Sequence, residues 1–200
     1  MQVVKRRKRY LEAAQALFAT HGFVATTMDM IIAETGGSKA TLYKYFPSKD
    51  DLIAGLMDDI IERIRERAQD PALDGLPLAE ALTEFGTITL ATVVSADAVR
   101  LLRLSLGEYA RFPQLARVVW EHGPAVTYEN FRRFLDERAR RGELVVDDTQ
   151  LAAEQFIAGI VGHIQLKVAM GVAEPPDAEQ IRRRVASAVR TFVARYGAVS

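Results

Sequence analysis

Five side chains between Lys39 and Lys44 carry the most specific chemistry of this sequence: Lys39, Ala40, Thr41, Tyr43 and Lys44. The two ammonium groups only donate hydrogen bonds, the hydroxyls of Thr41 and Tyr43 both donate and accept, and Ala40 is small. Small or donor-bearing residues near a helix N-terminus suit base edges in a major groove, and Lys or Tyr beside them suits phosphate. The partner these residues imply is duplex DNA. Little else in the sequence is equipped for chemistry. The absence of cysteine removes disulfide, thiolate and zinc-finger readings and is compatible with a reducing compartment. The three histidines, His21, His122 and His163, show no spacing such as His-x-x-x-His or Glu-x-x-His, so neither metal nor other cofactor is expected. An enzyme would need a nucleophile with its base, a metal set or a phosphate-binding glycine loop, and none is evident, so no catalytic residue is named.

For those side chains to face a groove, other helices must hold theirs in place. Met28, Ile31 and Thr35 fall on one helical face, Gly36-Gly37 stops that helix, and Ser38 opens a second with Leu42, Tyr45 and Phe46 facing inward. Thr26, with Asp29 three residues later, predicts a capping box for the first helix, and Ser38 a cap for the second. Pro47 cannot extend the second helix, and Ser48 starts another with Asp51 at the box position. Upstream, a helix from about Arg6 to His21 carries Tyr10, Leu11, Ala14, Leu17 and Phe18 as its inner stripe and stops at Gly22. This is the pattern of a compact three-helix reader built on a helix-turn-helix.

A net charge of zero looks wrong for a DNA binder until it is divided. Residues 1–50 hold eight Lys or Arg against four Asp or Glu, and residues 51–200 hold eighteen against twenty-two. The positive end is where the helix-turn-helix lies, and attraction to phosphate is local. The basic arm Lys5 to Arg9 is read as directly preceding the first helix and as touching phosphate or the minor groove. A membrane anchor is disfavoured because no lipidation signal accompanies it. With no secretory signal and no run apolar enough to span a bilayer, a soluble, cytoplasmic protein without a membrane partner is expected.

The segment GFVATTMDMIIAETGGSKATLYKYFPSKDDL, Gly22 to Leu52, resembles the N-terminal DNA-binding domain of the TetR family of one-component transcriptional regulators. The match runs from about Arg9 to Leu56, and SKATLYKYFPSK is highly specific. The resemblance implies a homodimer that binds a palindromic double-stranded operator through paired helix-turn-helix units, most often as a repressor released by a small hydrophobic effector. On that reading Lys39, Ala40 and Thr41, in the helix opened by Ser38, lie near base edges. Thr27, Tyr43, Lys44, Tyr45 and Lys49 lie towards phosphates, and Leu42 with Phe46 holds the helix. Two positions depart from the family pattern. Ile32 stands where a small Ala is usual, and Gly37 stands where the turn usually carries an apolar residue such as Val. The expectation is that the side chain missing at Gly37 makes room for Ile32.

The fold class is all-α: an N-terminal helix-turn-helix DNA-binding domain over 1–50, then a helical ligand-binding and dimerisation domain over 51–200. A helix from about Asp50 to Gln69 links the two, and the family places the mechanical coupling around Leu52 to Ile64. Asp70 to Pro77 is a loop by composition. Helices follow near 78–94, 96–111, 113–122, 124–141, 148–170 and 177–196, and Leu144-Val145-Val146 is too short for a strand. The last two helices carry broad apolar stripes that need neighbours on more than one side. Ile160, Ile164, Val185, Val189 and Phe192 are therefore the expected dimer interface, a four-helix bundle as the resemblance implies. The wealth of large side chains suggests an apolar effector pocket from Phe85, Leu102, Leu106, Tyr109, Trp120, Tyr128, Phe131, Phe156 and His163. Core packing competes with that role at each position. The rival function is a helical carrier or scavenger of hydrophobic molecules with no regulatory role.

Overall fold

The computed structural model describes residues 2–56, 58, 75–110 and 113–198, with side chains from Lys5 onwards. Its helices, in chain order, are α1 (Gln2–His21), α2 (Met28–Thr35), α3 (Lys39–Tyr45), a helical stretch over 49–56 termed α4, α5 (Leu78–Val93) and α6 (Ala96–Gly107). There follow α7 (Pro113–His122), α8 (Pro124–Arg140), α9 (Thr149–Val161), α10 (Ile164–Ala169) and α11 (Ala178–Tyr196). No strand occurs among the described residues. The Leu144 segment forms one antiparallel bridge to Gly197, in which Val145 N donates to Tyr196 O at 2.8 Å and Ala198 N to Glu143 O at 3.1 Å. The all-α expectation holds.

The described residues form two compact units: those within Met1–Ile60 and Arg100–Gly123, and those within Ile61–Val99 and Pro124–Ser200. In the first, Tyr10, Leu11, Ala14 and Phe18 of α1 bury Ile31, Leu42 and Phe46, joined by Leu52 and Ile53 of α4. Leu101 of α6 and Leu115 of α7 complete that core. Gly55 permits the close packing of α4, because a Cβ there would stand 2.9 Å from the Phe46 ring. The first unit thus extends beyond the expected boundary at residue 50 and takes in chain from far downstream. In the second unit Leu82, Phe85, Leu90, Phe131, Leu135, Phe156, Val185 and Phe192 are buried together. Arg138, 2% exposed, is paired rather than stranded: its guanidinium donates to Glu143 at 2.8 Å and to Leu76 O at 3.0 Å.

Three local expectations change. The helix over 148–170 is two helices, because the chain turns at Gly162 with φ +50°, a left-handed conformation open to glycine. Helix α1 begins at Gln2, so the basic arm is helical rather than an extension ahead of the helix. The helix over 96–111 ends at Gly107. The connector from residue 59 to Gln69, and Asp70 to Asp74 of the loop, lie outside the described residues.

Candidate nucleic-acid interface

The cap of α2 is Thr27, not Thr26. Thr27 has extended backbone and its Oγ1 accepts from Met30 N at 3.2 Å, whereas Thr26 is buried and donates its hydroxyl to Gly22 O at 2.8 Å. Both residues suit a cap chemically, and packing decided between them. Asp29 therefore sits within the first turn of α2 rather than at the box position. Ser38 caps α3 as expected, accepting from Thr41 N at 3.2 Å. Between them the chain turns on Gly36 and Gly37, with φ +70° and +105°. A Cβ on Gly37 would stand 3.3 Å from Tyr10 Oη, and nothing else lies within 4 Å. The idea that Gly37 accommodates Ile32 is overturned: the turn's backbone requires glycine, and the neighbour is Tyr10.

Leu42 and Phe46 are buried and hold α3 against α1, which leaves Lys39, Ala40, Tyr43 and Lys44 exposed and Thr41 half-buried on its outer side. Tyr45 is half-buried, with its ring 6.0 Å from that of Tyr10 and 6.5 Å from that of Phe46. Thr27 is exposed beside the start of α2. Lys39 Nζ is paired with Asp29, 3.0 Å from Oδ1 and 3.3 Å from Oδ2. That hydrogen bond, and then the carboxylate's charge, raise the Lys39 pKa above its ordinary value.

Lys49 does not face outwards as a phosphate contact would require. Its ammonium donates to Phe23 O at 2.8 Å, Thr26 O at 2.9 Å and Val24 O at 3.3 Å, and lies 4.5 Å from the centre of the Phe23 ring. Burial pushes its pKa down, partly offset by the charges of Asp50 and Glu108. The loop between α1 and α2 has no helical partners for its carbonyls, and Lys49 supplies one cation to three of them.

The basic arm is divided by the helix it belongs to. Lys5, Arg6 and Arg9 open onto a cleft of about 510 Å³ that is completed by Tyr10 and by Thr35, Gly36 and Gly37 at the end of α2. Arg7 instead lies over the Phe46 ring, 5.6 Å from its centre. Sequence reasoning missed Asp29 as the partner of Lys39, and the glycine turn as the wall of the cationic cleft. The i, i+4 spacing of Lys5 and Arg9 was the available signal, once the arm is helical.

The nine residues expected to line a pocket are divided between the two compact units. Phe85, Phe131 and Phe156 are core: ring centres are 4.2 Å apart for the first two and 4.9 Å for the last two. Their stacking is part of what packs the core of the second unit. Tyr128 is half-buried against the same core, and burial, then the charge of Glu154, raises its pKa. Leu102, Leu106, Tyr109 and Trp120 belong to the other unit, where Leu106, Tyr109 and Trp120 are 61%, 60% and 56% exposed. His163 is exposed at the turn before α10.

The expected dimer residues are also otherwise engaged. Ile160, Val185, Val189 and Phe192 are buried in the protomer's own core, and Ile164 is half-buried against it. The outward faces of α9 and α11 combine small and polar residues with the aromatic rings of Phe156, Phe192 and Tyr196. They form a groove of about 360 Å³ lined by Gln155, Gly159, Arg184, Ser187, Ala188 and Thr191, among others. Arg184 Nε donates to Ile160 O, and Gly162 leaves the space that its guanidinium crosses.

Among the described residues no cluster of three His, Asp or Glu is placed to hold a metal, and no single helix is long and apolar enough to cross a membrane.

Comparison with known proteins agrees with this geometry. Residues 11–56 match the family described as "Bacterial regulatory proteins, tetR family", and residues 80–198 match "AefR-like transcriptional repressor, C-terminal domain". The chain is similar to the solved structure of "Flavonoid-responsive Regulator FrrA", with 33% identity and a TM-score of 0.79 over 98% of this chain and 99% of that one. It is 25% identical over 182 residues to the HTH-type transcriptional regulator UidR of Escherichia coli (strain K12), covering 91% of this chain and 87% of that protein. The match to the HTH-type transcriptional regulator YhgD of Bacillus subtilis (strain 168), 30% identical over 77 residues, covers 38% of this chain and spans only 40% of that relative.

Proposed function

Because this chain belongs to the tetR family of bacterial regulatory proteins, we propose that it is a homodimeric, cytoplasmic repressor that leaves a palindromic operator when a small hydrophobic molecule binds its C-terminal unit. The observation that carries the reading is α3, anchored by buried Leu42 and Phe46 and presenting exposed Ala40, Tyr43 and Lys44 on its other side. In a major groove Lys39, Ala40 and Thr41 meet base edges, while Thr27, Tyr43 and Lys44 meet phosphates. The cleft of Lys5, Arg6 and Arg9 adds a second cationic contact with the backbone. Ser38 and Tyr45 shape the reader, through the cap and through packing on Tyr10.

One short reader grips DNA weakly, and a two-fold operator needs two. The groove between α9 and α11 suits the second copy, because Gly159, Ser187 and Ala188 let helices approach closely. The dimer then uses the outward faces of these helices, with Phe192 at the floor of the groove, and not the buried stripe of Ile160, Val185 and Val189. FrrA is described as flavonoid-responsive, which makes flat aromatic compounds the first effectors to screen. Whatever its identity, the effector must bind the released conformation more tightly, since equal affinity for both shifts nothing.

The test is selection of binding sites from a random duplex pool and from the DNA upstream of the protein's own gene, repeated at two salt concentrations. A palindromic footprint with a steep salt slope supports the reading. Replacing Tyr43 and Lys44 together with Ala should abolish that footprint. Sequence-blind binding that survives the double substitution would overturn the proposal.

A further inference from the structure

We propose that Asp29 is a specificity-determining residue of the reader and that, with Lys39, it recognises a single G·C pair in each half-site. The inference rests on the reading above, that this face binds duplex DNA. Lys39 is the first residue of α3, where the unpaired N–H groups of a helix start disfavour a cation. Nothing within α3 holds its ammonium there except the Tyr43 ring, whose centre is 5.9 Å away. The hold comes from α2. Asp29 lies in that helix's first turn, where the same partial charge favours a carboxylate, and its oxygens stand 3.0 and 3.3 Å from Lys39 Nζ. The side chains are 61% and 70% exposed, so the pair contributes little to stability. Its position between the two helix starts, on the surface that meets DNA, gives it another use.

A free ammonium gains a phosphate and releases a counterion wherever it lands on DNA. Lys39 is already neutralised, so moving it to a phosphate exchanges one ion pair for another and leaves the Asp29 carboxylate against the backbone's negative charge. That penalty falls on every sequence alike. It is relieved where the groove supplies an acceptor for Lys39 and a donor for Asp29 side by side. In the major groove guanine presents O6 and N7 to Lys, and its paired cytosine presents the N4 amino group to a carboxylate. A T·A pair presents the thymine O4 and the adenine amino group in the same order, but it puts the thymine methyl where guanine offers N7, so Lys39 loses its second acceptor and meets an apolar group instead.

The experiment compares the unaltered protein with Asp29→Asn, Lys39→Gln and the double variant, each checked by thermal melt. Two readouts are taken: affinity for a 30-base-pair random-sequence duplex between 50 and 200 mM NaCl, and the consensus selected from a random pool. Asp29→Asn should bind random duplex more tightly at low salt, with a slope steeper by about 0.9 per reader. The double variant should lose that gain. One G·C position per half-site should become unconstrained in Asp29→Asn and in Lys39→Gln while the other positions persist. An unchanged slope and consensus in Asp29→Asn, with normal DNA binding by the unaltered protein, overturns this inference alone. Equal loss of random and selected binding, with a lowered melting temperature, overturns it in favour of a structural role. Failure of the unaltered protein to bind duplex overturns the proposed function and this inference together.

Discussion

Replacing Lys49 with Met should destabilise the N-terminal unit by about 2 kcal/mol and leave the salt dependence of DNA binding unchanged. Met keeps the apolar stem over Phe23 and removes only the ammonium. Three loop carbonyls then lose their donor: those of Phe23 and Thr26, at 2.8 and 2.9 Å, and that of Val24 at 3.3 Å. A hydrogen bond to a charged donor contributes about 1.5–3 kcal/mol when water is excluded. Here the side chain is only half-buried, so each short bond is discounted to about 1 kcal/mol and the long one to almost nothing. The cation over the Phe23 ring adds about 0.5–1 kcal/mol, and the cost of partly burying the charge offsets a similar amount. For a protein of this length about 2 kcal/mol corresponds to a fall of roughly 4–8 °C in melting temperature. Thermal melts of both proteins, with duplex binding measured across 50–200 mM NaCl, decide the matter. An unchanged melting temperature with a slope shallower by about 0.9 per protomer would refute the reasoning, because Lys49 would then be a phosphate contact.

Gly37→Ala should cost about 1–3 kcal/mol in urea unfolding, since φ +105° is closed to alanine and Tyr10 Oη stands 3.3 Å from the new Cβ. Ile32→Ala should also destabilise, by about 1–2 kcal/mol, because Ile32 packs on the core and relieves no crowding at Gly37; a gain in stability would restore the compensation idea. Thr89→Val should be neutral or stabilising by about 1 kcal/mol, because the buried Thr89 hydroxyl has no hydrogen-bond partner among the described residues. A loss above about 1 kcal/mol in the same assay would mean that the hydroxyl binds something. Hydrogen bonds from Arg132 and then Arg133 hold the Glu129 carboxyl down to about 2 from its ordinary 4.5. The folded state therefore favours the carboxylate, its stabilisation is complete above pH 4.5, and it is lost as pH falls towards 2. The melting-temperature difference between the unaltered protein and Glu129→Gln should be present at pH 7 and close over that range.

Local chemistry was legible wherever it was decided by neighbours in sequence. Caps, glycine stops and the 3.6-residue spacing placed α2, α3, α7 and α8 to within a residue or two, and Ser38 caps α3 as its type and position require. The same rules named Thr26 as the cap of α2 where Thr27, equally competent, takes that place, because the outcome depended on which threonine the core could bury. Apolar spacing also identified Phe85, Phe131, Phe156, Ile160 and Val185 as buried without revealing what buries them. A stripe that seals a protomer and a stripe that seals a dimer have the same composition.

The sequence by itself determined the helical class, the helix-turn-helix and the basic end of the chain, since helix periodicity, caps and charge act over a few residues. Tertiary structure alone decided that Leu101 and Leu115 return to the N-terminal core, and that Phe85, Phe131 and Phe156 stack on one another in the other unit. It also tied Lys49 to loop carbonyls and Lys39 to Asp29. These outcomes pair groups from ten to more than ninety residues apart. A cation takes whichever acceptor the fold brings within about 3 Å, and sequence spacing carries no record of that distance.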